Sequence, residues 1–267
     1  MESDIEILFQ DDPIALHKPA LKSFPRRYVF SPHVDAIFGS DLMFIGKKAY
    51  LIVIDFFSKY LFVRPVNDTK SITISKALLD IFKKSGRKPE KLNTDMGSEY
   101  KKETQTILKQ EGIDHYFSTN ETKVPIAERV IRTLKSRIAR YEDSTGKSFI
   151  PYLPELIEGY NNSFHSSIKM TPTEASLKEN HDIAFKNLYG KHKNIYKQPK
   201  YKVGDLVLIS TIKNFFDKES VAKWSTERFI IDEVLTTTPT TYRIRDKKPK
   251  SEVIQGTFYE AELQLTK

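Results

Sequence analysis

Residues 37–66 read IFGSDLMFIGKKAYLIVIDFFSKYLFVRPV, and this stretch decides the fold of the chain. It contains three runs rich in apolar and β-branched residues, at 37–45, 49–57 and 60–66. Lys47-Lys48 supplies a turn between the first two runs. Connections this short favour an antiparallel meander of three strands.

Helices and strands alternate after the meander. The spacing of apolar residues predicts a helix, a strand, a helix, a strand and three helices, near residues 70–84, 91–94, 104–111, 113–117, 126–142, 152–163 and 173–179. A meander followed by such alternation indicates an α/β fold, in which helices cover a mixed sheet.

Composition limits the class of protein. An apolar fraction of 39% excludes disorder as the main state, and the absence of cysteine excludes disulfide scaffolds, thiol nucleophiles and zinc sites with Cys ligands. The apolar run at 49–54 stops at Asp55, too short to cross a membrane, and the acidic N-terminus does not resemble a secretory signal. We expect a soluble intracellular protein, whose net charge of +8 points to a polyanionic partner.

The composition changes after residue 182. No acidic residue occurs between Ile183 and Gly204, whereas lysine occurs there six times. Short strands separated by turn residues follow, which suggests a small barrel. The predicted organisation is an N-terminal extension, an α/β domain, a basic linker and a small β domain, over residues 1–36, 37–182, 183–202 and 203–267.

Three acidic residues are candidates for catalysis. Asp41 lies within the first strand, Asp95 directly follows the fourth strand, and Glu128 lies in the early turns of a helix. If they converge, their oxygens suit Mg²⁺ or Mn²⁺, and two such ions can hold the attacking and leaving oxygens of a phosphodiester. Each acid also has a simpler interpretation: Asp95 as a turn former and Glu128 as a partner of the helix dipole. Asp41 is the hardest to dismiss, because a charge inside an apolar strand is costly unless it is paired.

The helix that carries Glu128 should have two distinct faces. Glu128, Arg132 and Lys135 are four and seven residues apart and therefore share one face. Three apolar residues should pack inward on another face: Ile131, Leu134 and Ile138. The two cations form either a solvated ion pair with Glu128 or contacts to phosphate oxygens near a metal site.

Five segments occur in a recognisable order: Asp41-Leu42, residues 54–60 (IDFFSKY), residues 94–100 (TDMGSEY), residues 127–135 (AERVIRTLK) and residues 160–172, which begin YNNSFHS. With 32 residues between Asp95 and Glu128, this arrangement resembles the catalytic core of integrases from retroviruses, retrotransposons and, most closely, Maverick/Polinton-type DNA elements. The terminal segments KVGD (202–205), KWSTE (223–227) and FYEAEL (258–263) resemble the SH3-like DNA-binding domain of that family.

The resemblance implies an RNase H-like fold in which Asp41, Asp95 and Glu128 bind two Mg²⁺ or Mn²⁺ ions. It also implies trimming of element ends followed by their transfer into target DNA. The implied partners are double-stranded DNA, as element ends and target, and further copies of the chain, with no membrane and a nuclear location. The residues expected to contact DNA are Arg132, Lys135, Lys193, Lys197 and Lys200.

Two departures from the family pattern leave alternatives open. The absence of cysteine excludes the His-Cys zinc domain that often precedes such cores, and Met96 stands where Asn is more usual. The alternatives are a domesticated DNA- or chromatin-binding protein that no longer integrates, and a simple RNase H-like nuclease. Asp55, in the second strand, could compete with Asp41 as a ligand, although we expect it to fix local structure.

Three further residues are expected to be structural. His115 lies in a predicted strand, and His165 resembles a family position between helices at which a hydrogen-bonding packing residue is more common than a base. Trp224, the single tryptophan, is expected in the core of the small barrel.

Overall fold

The computed structural model describes residues 16, 18–21, 24, 29–118, 125–190, 198–211, 223–247, 253–254 and 256–266. The chain divides into two compact units. The first comprises residues 29–193, and the second comprises residues 194–267 together with 1–28.

A mixed five-stranded sheet lies at the centre of the first unit. Its strands are β1 (Ile37–Ile45), β2 (Lys48–Asp55), β3 (Leu61–Val66), β4 (Lys91–Thr94) and β5 (Asp114–Phe117). They lie in the order β3-β2-β1-β4-β5. The first three strands pair antiparallel, whereas β4 pairs parallel with both β1 and β5. The predicted meander and the mixed sheet are therefore confirmed.

Helices cover both faces of this sheet. The α-helices of the described part of the unit are α1 (Ser71–Ser85), α2 (Glu103–Gln110), α3 (Pro125–Thr145), α4 (Leu153–Asn161), α5 (Pro172–Ala175) and α6 (His181–Tyr189). None of the helices in the described ranges is long and apolar enough to span a lipid bilayer.

Each face of the sheet has its own hydrophobic core. On one face, Phe38 and Leu51 pack with residues of α1 and α2. On the other, Met43, Ile52 and Ile54 pack with residues of α3 and α4. All positions of β2 after Lys48 are buried, because the strand is interior to the sheet and both of its faces are covered. Three apolar residues of α3 pack inward, as predicted: Ile131, Leu134 and Ile138.

The first unit begins earlier and ends later than the sequence predicts. Tyr189 in α6 binds the residues before β1: its hydroxyl accepts a hydrogen bond from the Ser31 N–H at 2.9 Å and donates one to the Ser31 carbonyl at 3.0 Å. Ala184 is fully buried in a cluster with Phe57 and Ile168. Residues 29–36, predicted as extension, and 183–189, predicted as linker, therefore belong to the first unit. A lack of acidic residues says nothing about whether a segment packs.

The second unit contains a small antiparallel sheet. Its strands are β6 (Leu206–Ile209), β7 (Phe229–Leu235), β8 (Thr241–Asp246), β9 (Phe258–Tyr259) and β10 (Leu263–Leu265). They lie in the order β10-β6-β7-β8-β9, and every pair is antiparallel. The arrangement is consistent with the predicted small β domain. Strand β10 was not predicted, because three residues carry too little alternation to be recognised.

Trp224 is buried outside the main core of the second unit. The main core contains Tyr201 and Ile231, whereas Trp224 packs with Leu208 in a separate cluster that also contains Leu16 and Ala20. Its indole N–H donates a hydrogen bond to the carbonyl of Lys18 at 2.9 Å. Trp224 is thus buried, but in a separate cluster and not in the barrel core that the sequence predicts, and part of that cluster comes from a segment more than 200 residues away in sequence.

Candidate active site

Asp41 and Asp95 lie at the same level of two neighbouring parallel strands. The register of β1 and β4 pairs Ile37 with Lys91 and Gly39 with Asn93. Strand β4 ends at Thr94, and the same offset continued to the next residue places Asp95 next to Asp41, across a strand spacing of about 4.8 Å. Residues at equal positions of a parallel pair project to the same face. Two of the three predicted catalytic carboxylates are therefore neighbours.

Each of these carboxylates also makes a local hydrogen bond. Asp41 Oδ1 accepts from the N–H of Leu42 at 2.7 Å, and Asp95 Oδ1 accepts from the N–H of Gly97 at 3.1 Å. The second contact closes the turn after β4, and it engages one of the two oxygens of Asp95. Met96 is 46% exposed and the turn closes through a backbone N–H, so the turn does not require an Asn at position 96.

A buried tyrosine lies beneath the two carboxylates. Tyr100, in the 3₁₀ turn Ser98–Tyr100, is fully buried, and its hydroxyl lies 3.0 Å from Ser40 Oγ in β1. Burial raises the pKa of Tyr100 well above its ordinary value, and the nearby charges of Asp41 and Asp95 act in the same direction. The hydroxyl therefore keeps its proton. It ties the turn that carries Asp95 to the strand that carries Asp41.

Glu128 lies on the helix that covers the same face of the sheet. Alternation along β1 places Asp41 on the side of Met43, which packs in one core with Ala127 and Val130 of α3. Glu128 is exposed beside Ala127, within the first turn of α3, where the helix dipole favours a carboxylate. Helix α3 therefore covers the face on which Asp41 lies, with Glu128 at its start.

Among the described residues, the three carboxylates do not form a single cluster. Within the described residues, no group of three or more His, Asp and Glu side chains is close enough to hold one metal ion. The donor chemistry nevertheless suits a hard divalent cation, because two carboxylates stand side by side and a third lies on the covering helix. The segment that precedes α3, residues 119–124, lies outside the described residues.

Comparison with known proteins agrees with this geometry. Residues 33–123 match the family model described as the integrase core domain, and that range holds Asp41, Asp95 and the whole five-stranded sheet. This part of the chain is therefore similar to an integrase core domain.

A curated relative extends the similarity beyond the integrase core. The chain is 30% identical over 199 residues to an uncharacterized transposon-derived protein of Caenorhabditis elegans. The match covers 74% of this chain and 66% of the relative, which is just under two thirds of its length.

One solved structure shares the fold over nearly the whole chain. A chain of the cryo-EM structure of the simian T-cell lymphotropic virus intasome, in complex with a PP2A regulatory subunit, superposes with a TM-score of 0.64 at 15% identity. The superposition covers 97% of this chain and 90% of that one. The HTLV-2 integrase catalytic core domain in complex with magnesium matches at a TM-score of 0.47 and 18% identity, over 54% of this chain and 98% of the other. At these identities the likeness concerns the fold alone.

The predicted DNA-contacting cations fall in different places. Arg132 and Lys135 are exposed on α3, on the flank that carries Glu128, and neither has an ion-pair partner among the described residues. Lys200 belongs to the second unit, where its ammonium lies 5.1 Å from the centre of the Tyr201 ring. Lys193 and Lys197 lie outside the described residues.

Asp55 has a structural role in the integrase core. Its carboxylate is fully buried and accepts hydrogen bonds from Ser58 Oγ at 2.5 Å and from Arg87 Nη2 at 2.8 Å. Burial raises its pKa, and the charge of Arg87 opposes that rise. Arg87 also binds Asp35 at 2.6 Å. Asp55 Oδ1 accepts from the N–H of Phe57 at 3.1 Å, so both oxygens hold the local structure, as expected. Arg87, which sequence reasoning missed, carries no recognisable motif.

The two histidines have the expected hydrogen bonds. His115 Nε2 lies 2.9 Å from Thr94 Oγ1, and burial lowers the pKa of the ring. His165 Nδ1 lies 3.0 Å from Ser167 Oγ, and burial, with help from Lys59 and Arg129, lowers the pKa of the ring to about 4. Both rings are therefore neutral near pH 7.

Proposed function

We propose that the chain is a DNA integrase of a mobile genetic element, which processes the 3′ ends of element DNA and transfers them into target DNA with the help of divalent metal ions. The observation that carries the proposal is the parallel pairing of β1, which contains Asp41, with β4, which Asp95 directly follows. Helix α3, with Glu128 in its first turn, packs over that same face. An integrase core domain and a transposon-derived relative support this assignment.

The three carboxylates have the chemistry to hold two Mg²⁺ or Mn²⁺ ions. When bound, such ions lower the barrier to in-line substitution at a phosphodiester by stabilising charge on the attacking and leaving oxygens. Asp41 and Asp95 would bind from the sheet and Glu128 from the helix. Tyr100, through Ser40, positions the turn of Asp95 relative to β1.

DNA contacts would come from cations around the carboxylates and in the second unit. Arg132 and Lys135 flank Glu128 and are free to bind phosphate oxygens within the described structure. Lys193, Lys197 and Lys200 would add phosphate contacts, so binding should weaken as salt rises. Joining two element ends to one target requires several copies of the chain on double-stranded DNA. We also propose a nuclear location, where such DNA is found.

A strand-transfer assay with labelled element ends and Mg²⁺ tests the proposal. Asp95→Asn should abolish joined products, because the amide cannot supply the charge a divalent ion needs. Asp114→Asn is the matched control: Asp114 begins β5, at the end of the parallel strands opposite to Asp95, and its side chain is 68% exposed.

The outcomes separate the alternatives. Joined products that require Asp95 support the integrase. Nicked DNA without joining would instead indicate a simple RNase H-like nuclease. Salt-sensitive DNA binding that is unchanged in Asp95→Asn, with no products from either protein, would indicate a domesticated binding protein.

A further inference from the structure

Three basic side chains lie close to one another near the start of α3, where Arg129 directly follows Glu128. Lys59 lies in the turn between β2 and β3, Arg129 lies on α3, and His165 lies in the short hairpin that follows α4. Lys59 and Arg129 interact electrostatically with each other and with His165. Sequence reasoning missed Lys59 and Arg129, and it treated His165 as a packing residue.

One asparagine fastens the hairpin to the strand after Lys59. Asn161, at the end of α4, is buried; its Oδ1 accepts from the N–H of Leu61 at 2.8 Å, and its Nδ2 donates to the carbonyl of Leu61 at 3.0 Å. Leu61 is two residues after Lys59, and His165 is four residues after Asn161. This pair of bonds therefore holds Lys59 and His165 near each other.

Core packing brings Arg129 to the same place. Its helical neighbours Ala127 and Val130 share one hydrophobic core with Phe56 and Leu61. The Lys59 ammonium donates a hydrogen bond to the carbonyl of Phe56 at 2.5 Å, which anchors the side chain beside that core. The fold thus fixes the positions from which the half-buried Lys59 and His165 and the exposed Arg129 extend.

The positive charge of this cluster is poorly compensated. Asp55 is the carboxylate that interacts with Lys59, but it is fully buried and already bound by Arg87 and Ser58. Within the described residues, no carboxylate lies within ion-pair distance of Lys59 or Arg129. Two neighbouring cations without an anion cost energy, which an incoming anion would recover.

The cluster presents hydrogen-bond donors. His165 Nδ1 lies 3.4 Å from the N–H of Ser167, which can only donate, so the neutral ring carries its proton on Nε2. The ammonium of Lys59 has two further protons beyond the one given to Phe56, and the guanidinium of Arg129 has five N–H groups. Donors of this kind match the oxygens of a phosphate.

Burial and the neighbouring cations lower the pKa values of Lys59 and His165. Burial lowers the pKa of Lys59 to about 8, with Arg129 adding to the effect. The ring of His165 is held neutral by burial and by both neighbouring cations. A bound phosphate would raise both pKa values towards their ordinary range.

We propose that Lys59, Arg129 and His165 form a binding site for a backbone phosphate of DNA, beside the carboxylates of the integrase core and distinct from them. The choice of DNA as the source of the phosphate rests on the proposed function. It is also supported by Phe164, which precedes His165 and is 67% exposed, because exposed aromatic rings among cations are typical of surfaces that bind nucleic acids.

The salt dependence of DNA binding tests this site without any catalysis. Binding of a 20-base-pair duplex to the full chain is measured in EDTA by fluorescence anisotropy, over a range of salt concentrations. Arg129→Gln should lower the slope of log K against log salt by about 0.9, the value for one lost phosphate contact. Arg140→Gln is the matched control, since Arg140 is exposed on the same side of α3, about 16 Å further along. An unchanged slope in Arg129→Gln, or an equal fall in both variants, would overturn the proposal.

Histidine NMR identifies the source of the phosphate. In protein labelled with ¹⁵N-histidine, the duplex should shift the His165 ring signals and raise the pKa of the ring, whereas inorganic phosphate at the same phosphate concentration should not. A response to inorganic phosphate alone would rule out DNA as the ligand. Neither experiment requires metal or strand transfer. If both experiments give the expected results but the chain joins no DNA, the proposed integrase activity is refuted and the proposed phosphate site is not.

Discussion

Removing one hydroxyl tests whether a buried hydrogen bond holds the two sheet carboxylates in place. Tyr100→Phe keeps the ring and deletes the oxygen that lies 3.0 Å from Ser40 Oγ. Both side chains are fully buried, so water cannot replace the lost partner. The variant leaves the hydroxyl of Ser40 without its partner.

The expected loss follows from that burial. Leaving a buried polar group unpaired costs about 1–3 kcal/mol, so Tyr100→Phe and Ser40→Ala should each lower the free energy of unfolding by about that amount. The double variant has no orphaned group and should be no less stable than the worse single variant. The coupling free energy of the cycle should therefore be at least about 1 kcal/mol.

Urea unfolding followed by far-UV circular dichroism measures these free energies. Trp224, the only tryptophan, lies in the second unit, so its fluorescence transition serves as an internal control that Tyr100→Phe should leave unchanged. Strand transfer by Tyr100→Phe should fall about tenfold, because Asp95 would be held less firmly beside Asp41. If the losses of stability in Tyr100→Phe and Ser40→Ala add up in the double variant, and Tyr100→Phe transfers strands as fast as the wild type, the hydrogen bond does not hold the carboxylates in place.

Three further variants probe contacts between distant segments. Arg87→Met should lower the free energy of unfolding by about 3–5 kcal/mol, because it leaves the buried carboxylate of Asp55 without its ion-pair partner. In urea unfolding, this loss of stability should be smaller at pH 5 than at pH 7, because the unpaired carboxylate is more easily protonated at the lower pH. Asn161→Ala should cost about 2–4 kcal/mol and expose the amide of Leu61 to hydrogen exchange, and wild-type protection there would contradict the assigned bonds. Burial and two nearby cations lower the pKa of His165 to about 4, so the folded state resists protonation of the ring. The melting temperature of the wild type should therefore drop as pH falls from 6.5 towards 4, and His165→Gln should weaken that drop. An unchanged pH profile in the variant would argue against this assignment.

Much of the integrase core could be predicted because its signals are local. The apolar runs at 37–66 produce β1, β2 and β3, and the 3.6-residue spacing in α3 correctly separated Leu134 and Ile138 from the exposed flank. The roles of Asp41, Asp95 and Glu128 in catalysis remain predictions, although the first two are placed side by side.

Other features could not be predicted, because they depend on residues distant in sequence. The helical pattern at 181–189 is too short to separate α6 from the predicted linker, although α6 packs against residues near 30. Trp224 was expected in the barrel core, but Leu16 and Ala20 cover it. Tyr100 lay inside a recognised motif, yet nothing in that motif indicated its partner, Ser40.

The sequence by itself determined most of the strands and helices, the positive charge and the order of the acidic residues, because these depend on neighbouring side chains and on simple periodicity. Only the tertiary structure decided that Asp55 pairs with Arg87, that Asp41 stands level with Asp95, and that Lys59 lies near His165. The physical reason is that strand pairing, burial and charge compensation join residues tens to more than a hundred positions apart. No local pattern encodes which of the possible partners will meet.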